Sequence, residues 1–238
     1  LDRSRVAGAI SPILETVRRV AATLPAVQPG AALIGFAGAP FTVACYMVEG
    51  GGSKDFFETR WTAYRDPGLF AALIDVLTEA TEVYLAGQIE AGAEVAMLFD
   101  SWAGILSPAQ FRAHVIAPTK RIVASLKSRF PSVPVVGFPR LAGLMLGAYA
   151  DATGVDAVGV DTGTDIAVAS GVVPSSVALQ GNLDPVALVA GGEVMASGVG
   201  AILGAMRGRP FVFNLGHGIL PQTPPEHVAQ LVGMVRAG

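Results

Sequence analysis

The sequence predicts an α/β protein of the (β/α)8 TIM-barrel type, incomplete, with six βα units in 238 residues. Two observations carry this. Short apolar runs ending in Gly, Asp, Asn or Pro alternate with longer segments whose apolar residues recur at helical spacing. The runs are continuous rather than alternating, as parallel strands covered on both faces require. The second observation is where the polar residues fall. Asp100 with Ser101, Asp161, Asn182, and Asn214 with His217 all come at or just after the C-terminal ends of these runs, the end at which barrel enzymes assemble their sites. By count alone six units lie closer to a doubly wound sheet, and the strand-end residues favour the barrel.

In chain order, the predicted strands are 31–38 (AALIGFAG), 93–100 (AEVAMLFD), 133–139 (VPVVGFP), 155–161 (VDAVGVD), 177–182 (VALQGN) and 210–216 (PFVFNLG). A helical segment over 5–24 precedes them. Further helices are predicted near 54–65, 68–91, 108–129, 141–151, 165–170, 185–206 and 225–236. PQTPPE, 221–226, reads as a turn into the last helix, with Pro suited to the first turn and Glu226 to its positive end. No composition shift or repeat marks a boundary, so residues 1–238 are expected to form one barrel domain. The first two barrel strands are expected to be missing from its N-terminus. That would leave strand edges open to association.

Hydrophobic residues make up 52% and charged residues 15%, enough apolar material for a sizeable core and unlike a disordered chain. Mean hydropathy is +0.54, yet no uninterrupted apolar stretch reaches bilayer length. The longest uncharged segment, Ile166 to Leu183, is broken by Pro174 and carries Ser175, Ser176, Gln180 and Asn182. No membrane association is expected. The start has no signal-peptide pattern. The one cysteine, Cys45, fits a reducing compartment, and a cytoplasmic location is expected. A net charge of −3 without a basic run gives no footprint for nucleic acid.

GFAGAPFT, 35–42, ends a strand with glycines but has neither the dinucleotide-binding spacing nor a P-loop lysine. In VACYMVEGGGS, 43–53, Tyr46 reads as core packing with a bonded hydroxyl, Glu49 as an exposed or paired carboxylate, and Cys45 as a small buried hydrophobe. Gly50, Gly51 and Gly52 form a flexible exit, and Ser53 is placed to cap a helix beginning at Lys54. FDSWAG, 99–104, joins a carboxylate, a hydroxyl and two aromatics at a strand end. Asp100 or Ser101 serves either function or capping there, although Ser107 before Pro108 is the better cap. NLGHGILPQTPPE, 214–226, sets His217 between two glycines, where it is able to titrate near neutrality and donate to an anion. His114 and His227 lie in helical segments and receive no role. No metal is expected, because no HxC, CxxC or HExxH spacing occurs. Nucleophilic catalysis by Ser101 finds no base and no GxSxG.

Taken together, GFAGAPFT with YMVEGGGS, FDSWAG, QGNLDP (180–185) and NLGHGILPQTPPE resemble the uroporphyrinogen decarboxylase family of haem and chlorophyll biosynthesis, in the family's order and across most of the chain. The resemblance implies a (β/α)8 barrel, a cofactor-free carboxy-lyase and a cytoplasmic or plastid setting. It also implies a homodimer with facing clefts, and as substrate uroporphyrinogen, a tetrapyrrole bearing eight carboxylates. Four acetate side chains become methyls, giving coproporphyrinogen III, because protonating a pyrrole ring makes an electron sink for the departing carboxylate. By motif match, Tyr46, Ser101 and His217 correspond to catalytic and substrate-binding residues that contact substrate carboxylates or the reacting ring. Phe36 and Phe99 match aromatics lining the cleft, and Asp100 stands beside the serine as a further binding candidate.

The departures from the family pattern bear on activity. The family's arginine pair and its pyrrole-binding aspartate, both N-terminal, are absent from this sequence, so catalysis by this chain alone is expected to be weak or lost. FPRLAG (138–143) replaces a glycine-rich turn, with Arg140 as either a substitute cation or a solvent-exposed arginine, and VDTG (160–163) replaces VDW. Two other readings stand beside this one. A corrinoid-dependent methyltransferase of the same superfamily needs a zinc-thiolate site for which Cys45 is the one thiol. A non-catalytic tetrapyrrole-binding barrel needs no turnover at all.

Overall fold

In the computed structural model, which describes residues 3–238, six parallel strands alternate with helices, the pattern of an incomplete (β/α)8 barrel. The chain forms two compact units.

The first unit runs to Ala142 and takes in Ala152–Asp156. It opens with helix α1, Arg3–Val27, longer than predicted and carrying Pro12 and Pro25 inside it. At Pro12 the missing N–H would have served the carbonyl of Gly8, and the Ser11 hydroxyl donates to that carbonyl instead (2.9 Å). Strand β1, Ile34–Gly38, leads into α2, Pro40–Glu49, then α3, Phe57–Arg65, and α4, Pro67–Glu90. Asp66 caps α4 by accepting from Leu69 N–H (3.0 Å), with Pro67 at the first helical position. Small residues let α1 lie close on α4. A Cβ at Gly87 would press on Leu14, and one at Gly92 would collide with Ala21.

Strand β2, Val95–Asp100, pairs in parallel with β1 on one side and with β3, Val135–Pro139, on the other. Between β2 and β3 the predicted helix over 108–129 is three pieces in series: α5, Pro108–Phe111, a π-helical stretch Arg112–Ile116, and α6, Ala117–Arg129. The π stretch carries the buried His114, whose ring meets Phe70 edge-on at 4.9 Å. Arg121 on α6 pairs with Asp75, Glu79 and Glu82 on α4. Phe41, Phe56, Phe70, Phe111, Leu85 and Leu98 form a core with almost no solvent exposure.

The second unit comprises Gly143–Asp151 and Ala157–Gly238. Strand β4, Ala157–Gly159, pairs with β5, Ala178–Leu183, and β5 with β6, Phe211–Leu215, all parallel. Helix α7, Met145–Thr153, precedes β4. Helix α8, Ile166–Val172, is capped by Asp165, which accepts from Ala167 and Val168 N–H. Helix α9, Pro185–Ala190, is capped by Asp184. Helix α10, Gly192–Ala205, follows directly, and α11, Pro225–Ala237, ends the chain. Tyr149, Leu179, Leu188 and Met195 are fully buried here.

The structure corrects several boundaries. The helix expected from Lys54 begins at Phe57. Phe56 adopts a positive φ of 50°, and its N–H donates to Ser53 Oγ (3.1 Å), so Ser53 closes a turn instead of capping a helix. The single helix expected over 185–206 is two, broken at Gly191. Its φ of 66° and ψ of −160° are accessible to glycine alone, and a Cβ there would strike the His227 ring. Ser107 sits at the N-cap position but makes no capping bond; its hydroxyl meets Tyr64 Oη at 3.1 Å. Continuous burial holds for β2 and β3, whereas β1 and β6 alternate. Each of these two pairs on one side only within its unit and leaves one face uncovered.

Candidate active site

At the C-terminal end of β2, Asp100 is the last strand residue and is only 1% exposed. The chain turns at once through Ser101 and Trp102 into a single 3₁₀ turn, Ala103–Ile105. Thr42, in the first turn of α2, reaches this corner. Its Oγ1 donates to Asp100 Oδ1 at 2.6 Å and accepts from Trp102 N–H at 3.2 Å. Burial pushes the Asp100 carboxyl up to about 7, with the Thr42 bond pulling the other way. Asp100 Oδ2 is buried and, among the described residues, has no hydrogen-bond partner. A proton on Asp100 therefore belongs on Oδ2. Gly104 lets the turn after β3 approach. Its N–H donates to Arg140 O at 3.1 Å, and a Cβ there would run into Leu141. Arg140, half-buried, donates its own N–H to Asp100 O (3.1 Å).

Three phenylalanines line one face of β1, β2 and β3. Phe36 meets Phe99 edge to face at 5.8 Å, and Phe99 meets Phe138 at 6.0 Å. Gly35, next to Phe36 and directed to the opposite face, packs on Gln88 and Ala93, where a Cβ would be tight (2.9 Å). Phe36 is 59% exposed, far more than a core phenylalanine. The file is thus an open apolar wall.

Tyr46, on the outer turn of α2, is 44% exposed and meets Phe56 (6.2 Å) and Trp102 (6.3 Å), both edge-on. Among the described residues its hydroxyl has no hydrogen-bond partner, so the core-packing role with a bonded hydroxyl is not what the ring does here. Glu49 accepts from both the N–H and the hydroxyl of Thr59 (3.0 and 3.1 Å), which joins the end of α2 to the start of α3. Cys45 is fully buried, and burial together with Asp100 and Glu49 raises its thiol pKa.

In the second unit His217 is exposed and follows Gly216. Gly216 N–H donates to Leu183 O (2.8 Å), and a Cβ on it would collide with Thr162, so the NLGHG loop rests on the VDTG turn. Asp161 and Asn182, strand-end candidates by sequence, are engaged in that turn. Asp161 Oδ1 accepts from Gly163 N–H and Thr164 Oγ1, while Asn182 Nδ2 donates to Asp161 O and Thr164 O. Asn214 Oδ1 accepts from Leu215 N–H (2.8 Å).

The structure thus gathers Phe36, Tyr46, Phe99, Asp100 and Ser101 within the first unit, while His217 belongs to the second. Thr42, Phe56 and Phe138 were missed by sequence reasoning. Phe138 had a signal, since VVGFP ends as MLFD does with an aromatic one residue before the strand terminus. Thr42 closes the GFAGAPFT block, but its role could not be read there because its partners are 58 and 60 residues away. No helix among the described residues is long and apolar enough to cross a membrane. No group of three or more His, Cys, Asp or Glu among them is placed to hold a metal ion.

A parallel βα array with an aromatic wall and a buried carboxyl at a strand end defines a barrel of the enzyme-bearing class. Its fold is that of a methyltransferase from Methanosarcina mazei, with a TM-score of 0.78 over 94% of this chain and 63% of that one, at 24% identity. The chain belongs to the uroporphyrinogen decarboxylase (URO-D) family, whose sequence model matches residues 1–238. It is 60% identical over 236 residues to the uroporphyrinogen decarboxylase of Granulibacter bethesdensis, covering 99% of this chain and 69% of that protein. It is 56% identical to that of Gluconacetobacter diazotrophicus (99% and 69%) and 54% identical to that of Gluconobacter oxydans (100% and 67%). It therefore spans about two thirds of the length of these relatives.

Proposed function

We propose that the protein acts in the cofactor-independent decarboxylation of uroporphyrinogen to coproporphyrinogen, the step of haem biosynthesis at which four acetate groups become methyls. The observation that carries this reading is 60% identity, over 99% of the chain, to a protein named uroporphyrinogen decarboxylase. The methyltransferase neighbour, at 24% identity, supports the fold and no more. In each round a pyrrole carbon takes a proton. The bond between the acetate methylene and its carboxylate breaks, its electron pair neutralises the ring cation and carbon dioxide leaves; the exocyclic methylene then takes a proton to become the methyl, and the proton first added to the ring carbon departs, restoring the pyrrole. Protein groups that stabilise the cation and exclude water act on the barrier of that step.

In this reading Phe36 and Phe99, with Phe138, offer an apolar wall to the macrocycle, which supports their role in substrate binding. Tyr46 and Ser101 meet the reacting ring or its carboxylates, and Tyr46's half-exposed ring without a hydroxyl partner supports that assignment. His217, exposed in a glycine-flanked loop, donates to a carboxylate; its motif is the ground for this. Asp100, buried behind Ser101 and bonded to Thr42, acts through the turn it anchors. The single barrel domain over 1–238, the homodimer and a cytoplasmic setting belong to the same proposal, on the ground of the family resemblance.

The test is decarboxylation of uroporphyrinogen, followed by chromatography of the oxidised porphyrins. It compares this chain with the same chain preceded by the N-terminal segment of the Granulibacter bethesdensis relative. The extended protein is expected to release coproporphyrinogen. No activity above background in the extended protein overturns the reading, and porphyrin binding without turnover would favour a non-catalytic barrel.

A further inference from the structure

Ser101 is held from both sides by one side chain, that of Thr42, the last residue of the GFAGAPFT block. The preceding residue, Asp100, is fixed through its Oδ1 by the Thr42 hydroxyl, and the following residue, Trp102, is fixed through its backbone N–H by the same oxygen. We propose that Thr42 is a positioning residue for the Ser101 turn, acting through Asp100 and Trp102. The proposal rests on the decarboxylase reading for what Ser101 does, but not for the geometry itself.

A hydroxyl is the one group able to do this here, because it must donate to a carboxyl and accept from an amide at the same time. Thr42 is buried in the first turn of α2, where the helix fixes its backbone, and its β-branch restricts χ1. The oxygen is therefore presented in one place. On the other side, Arg140 N–H donates to Asp100 O and Gly104 N–H to Arg140 O. The corner is thus bonded to α2 and to the turn after β3. Trp102 also carries its ring against Phe56 (4.5 Å) and Tyr46 (6.3 Å). A shift of the Trp102 backbone consequently moves Tyr46's surroundings as well as Ser101. Asp100 is almost wholly inaccessible, so its effect on substrate passes through the turn it anchors.

Two arms test this. In the extended, active protein, Thr42→Val, which keeps shape and removes the oxygen with both of its bonds, is expected to lower kcat/KM about tenfold or more. Thr42→Ser is expected to stay within about threefold of the parent. The same Val substitution made on top of Ser101→Ala is expected to cost less than about twofold more, because the serine it positions is already gone. A merely structural role predicts an additive loss, and additivity, or failure of Thr42→Ser to rescue, overturns the proposal. The second arm needs no activity. In a Trp61→Phe background of this chain, Trp102 is the remaining tryptophan. Thr42→Val is expected to shift its emission, and Thr42→Ser to restore it. Unchanged emission overturns the positioning role even if decarboxylation is robust. If the parent proves inactive while the emission shift is seen, the functional reading fails and the positioning geometry stands.

Discussion

The carboxamide of Gln88, on α4, holds the peptide of Phe36 on β1 by two hydrogen bonds. Oε1 accepts from Phe36 N–H at 3.0 Å and Nε2 donates to Phe36 O at 2.9 Å. Within β1 the odd-numbered residues face β2, as the bonds from Ala39 N–H to Phe99 O and from Val95 N–H to Leu33 O show. Phe36 points its backbone groups the other way, to the strand's outer edge. Gln88 therefore supplies in side-chain form part of what a neighbouring strand would supply. The open edge expected from the sequence is blunted at this position.

Replacing Gln88 by Leu is expected to leave a partly buried N–H and C=O unsatisfied, at a cost of about 1–3 kcal/mol. It also frees the edge for pairing. Thermal unfolding should show a lower Tm, and light scattering should show concentration-dependent association. An unchanged Tm with no added association would deny the clamp.

Arg209 offers a second structural test. Nη1 donates to Ser170 O (2.8 Å), and Nη2 lies near the carbonyls of Val173, Pro174 and Val177 (3.1, 2.9 and 3.0 Å), all at or beyond the end of α8. The Ser170 carbonyl belongs to the last turn of α8, where carbonyls lack helical partners and the dipole is negative, and the others lie in the turn that follows. Arg209→Ala is expected to destabilise by about 2 kcal/mol or more, and Arg209→Lys to recover only part, since an ammonium lacks the guanidinium fork. Denaturant unfolding of the three proteins checks the order.

The buried Asp100 makes stability depend on pH in an unusual direction. Its ordinary value of 3.8 is raised to about 7 in the folded protein, so between these values the folded state binds the proton that the unfolded state has lost. Its contribution is therefore fullest below about 3.8 and declines as pH rises to about 7, by about 1.4 kcal/mol per unit. The ionisable groups nearby are Cys45, Tyr46 and Glu49 on α2 and Arg140 beyond β3; β1 and β3 contribute none. Asp100→Asn is expected to remove this decline. Comparing the unfolding free energies of the two proteins at pH 5 and pH 8 gives the sign, and a parent whose advantage over Asn grows with pH would contradict it.

His114 acts in the opposite sense. Burial against Phe70 lowers its pKa, so acid protonates the unfolded chain first. Its contribution is intact above its ordinary value of 6.5 and is lost as pH falls below it. His114→Leu is expected to flatten the stability curve between pH 6.5 and pH 5. An acid limb unchanged in that variant would remove His114 as its cause.

Much of the fold was legible because strands and helices here announce themselves locally. The apolar runs ending in Gly, Asp, Asn or Pro located all six strands within a few residues. Asp66, Asp165 and Asp184 cap helices in the positions that their proline or apolar followers suggest. The break at Gly191 was missed in reading the sequence, although paired glycines at 191–192 disfavour a helix by about 1 kcal/mol each. What decides it is the His227 ring, 36 residues away, occupying the space a side chain would need. The aromatic pair Phe36 and Phe99 was found through its motifs, whereas Phe138 joins them only once register sets it beside Phe99.

The sequence by itself determined the class of fold and the family, because these reside in local patterning and in short motif blocks read in chain order. Tertiary structure alone decided what the polar strand-end residues do. Asp161 and Asn182 turn inward to hold a loop, Asp100 is closed off with its carboxyl pKa raised by burial, and Thr42 secures the corner at which Ser101 stands. For Asn182, Asp100 and Thr42 the outcome depends on burial and on partners distant in the chain, whereas the Asp161 carboxylate is held by Gly163 and Thr164 next door.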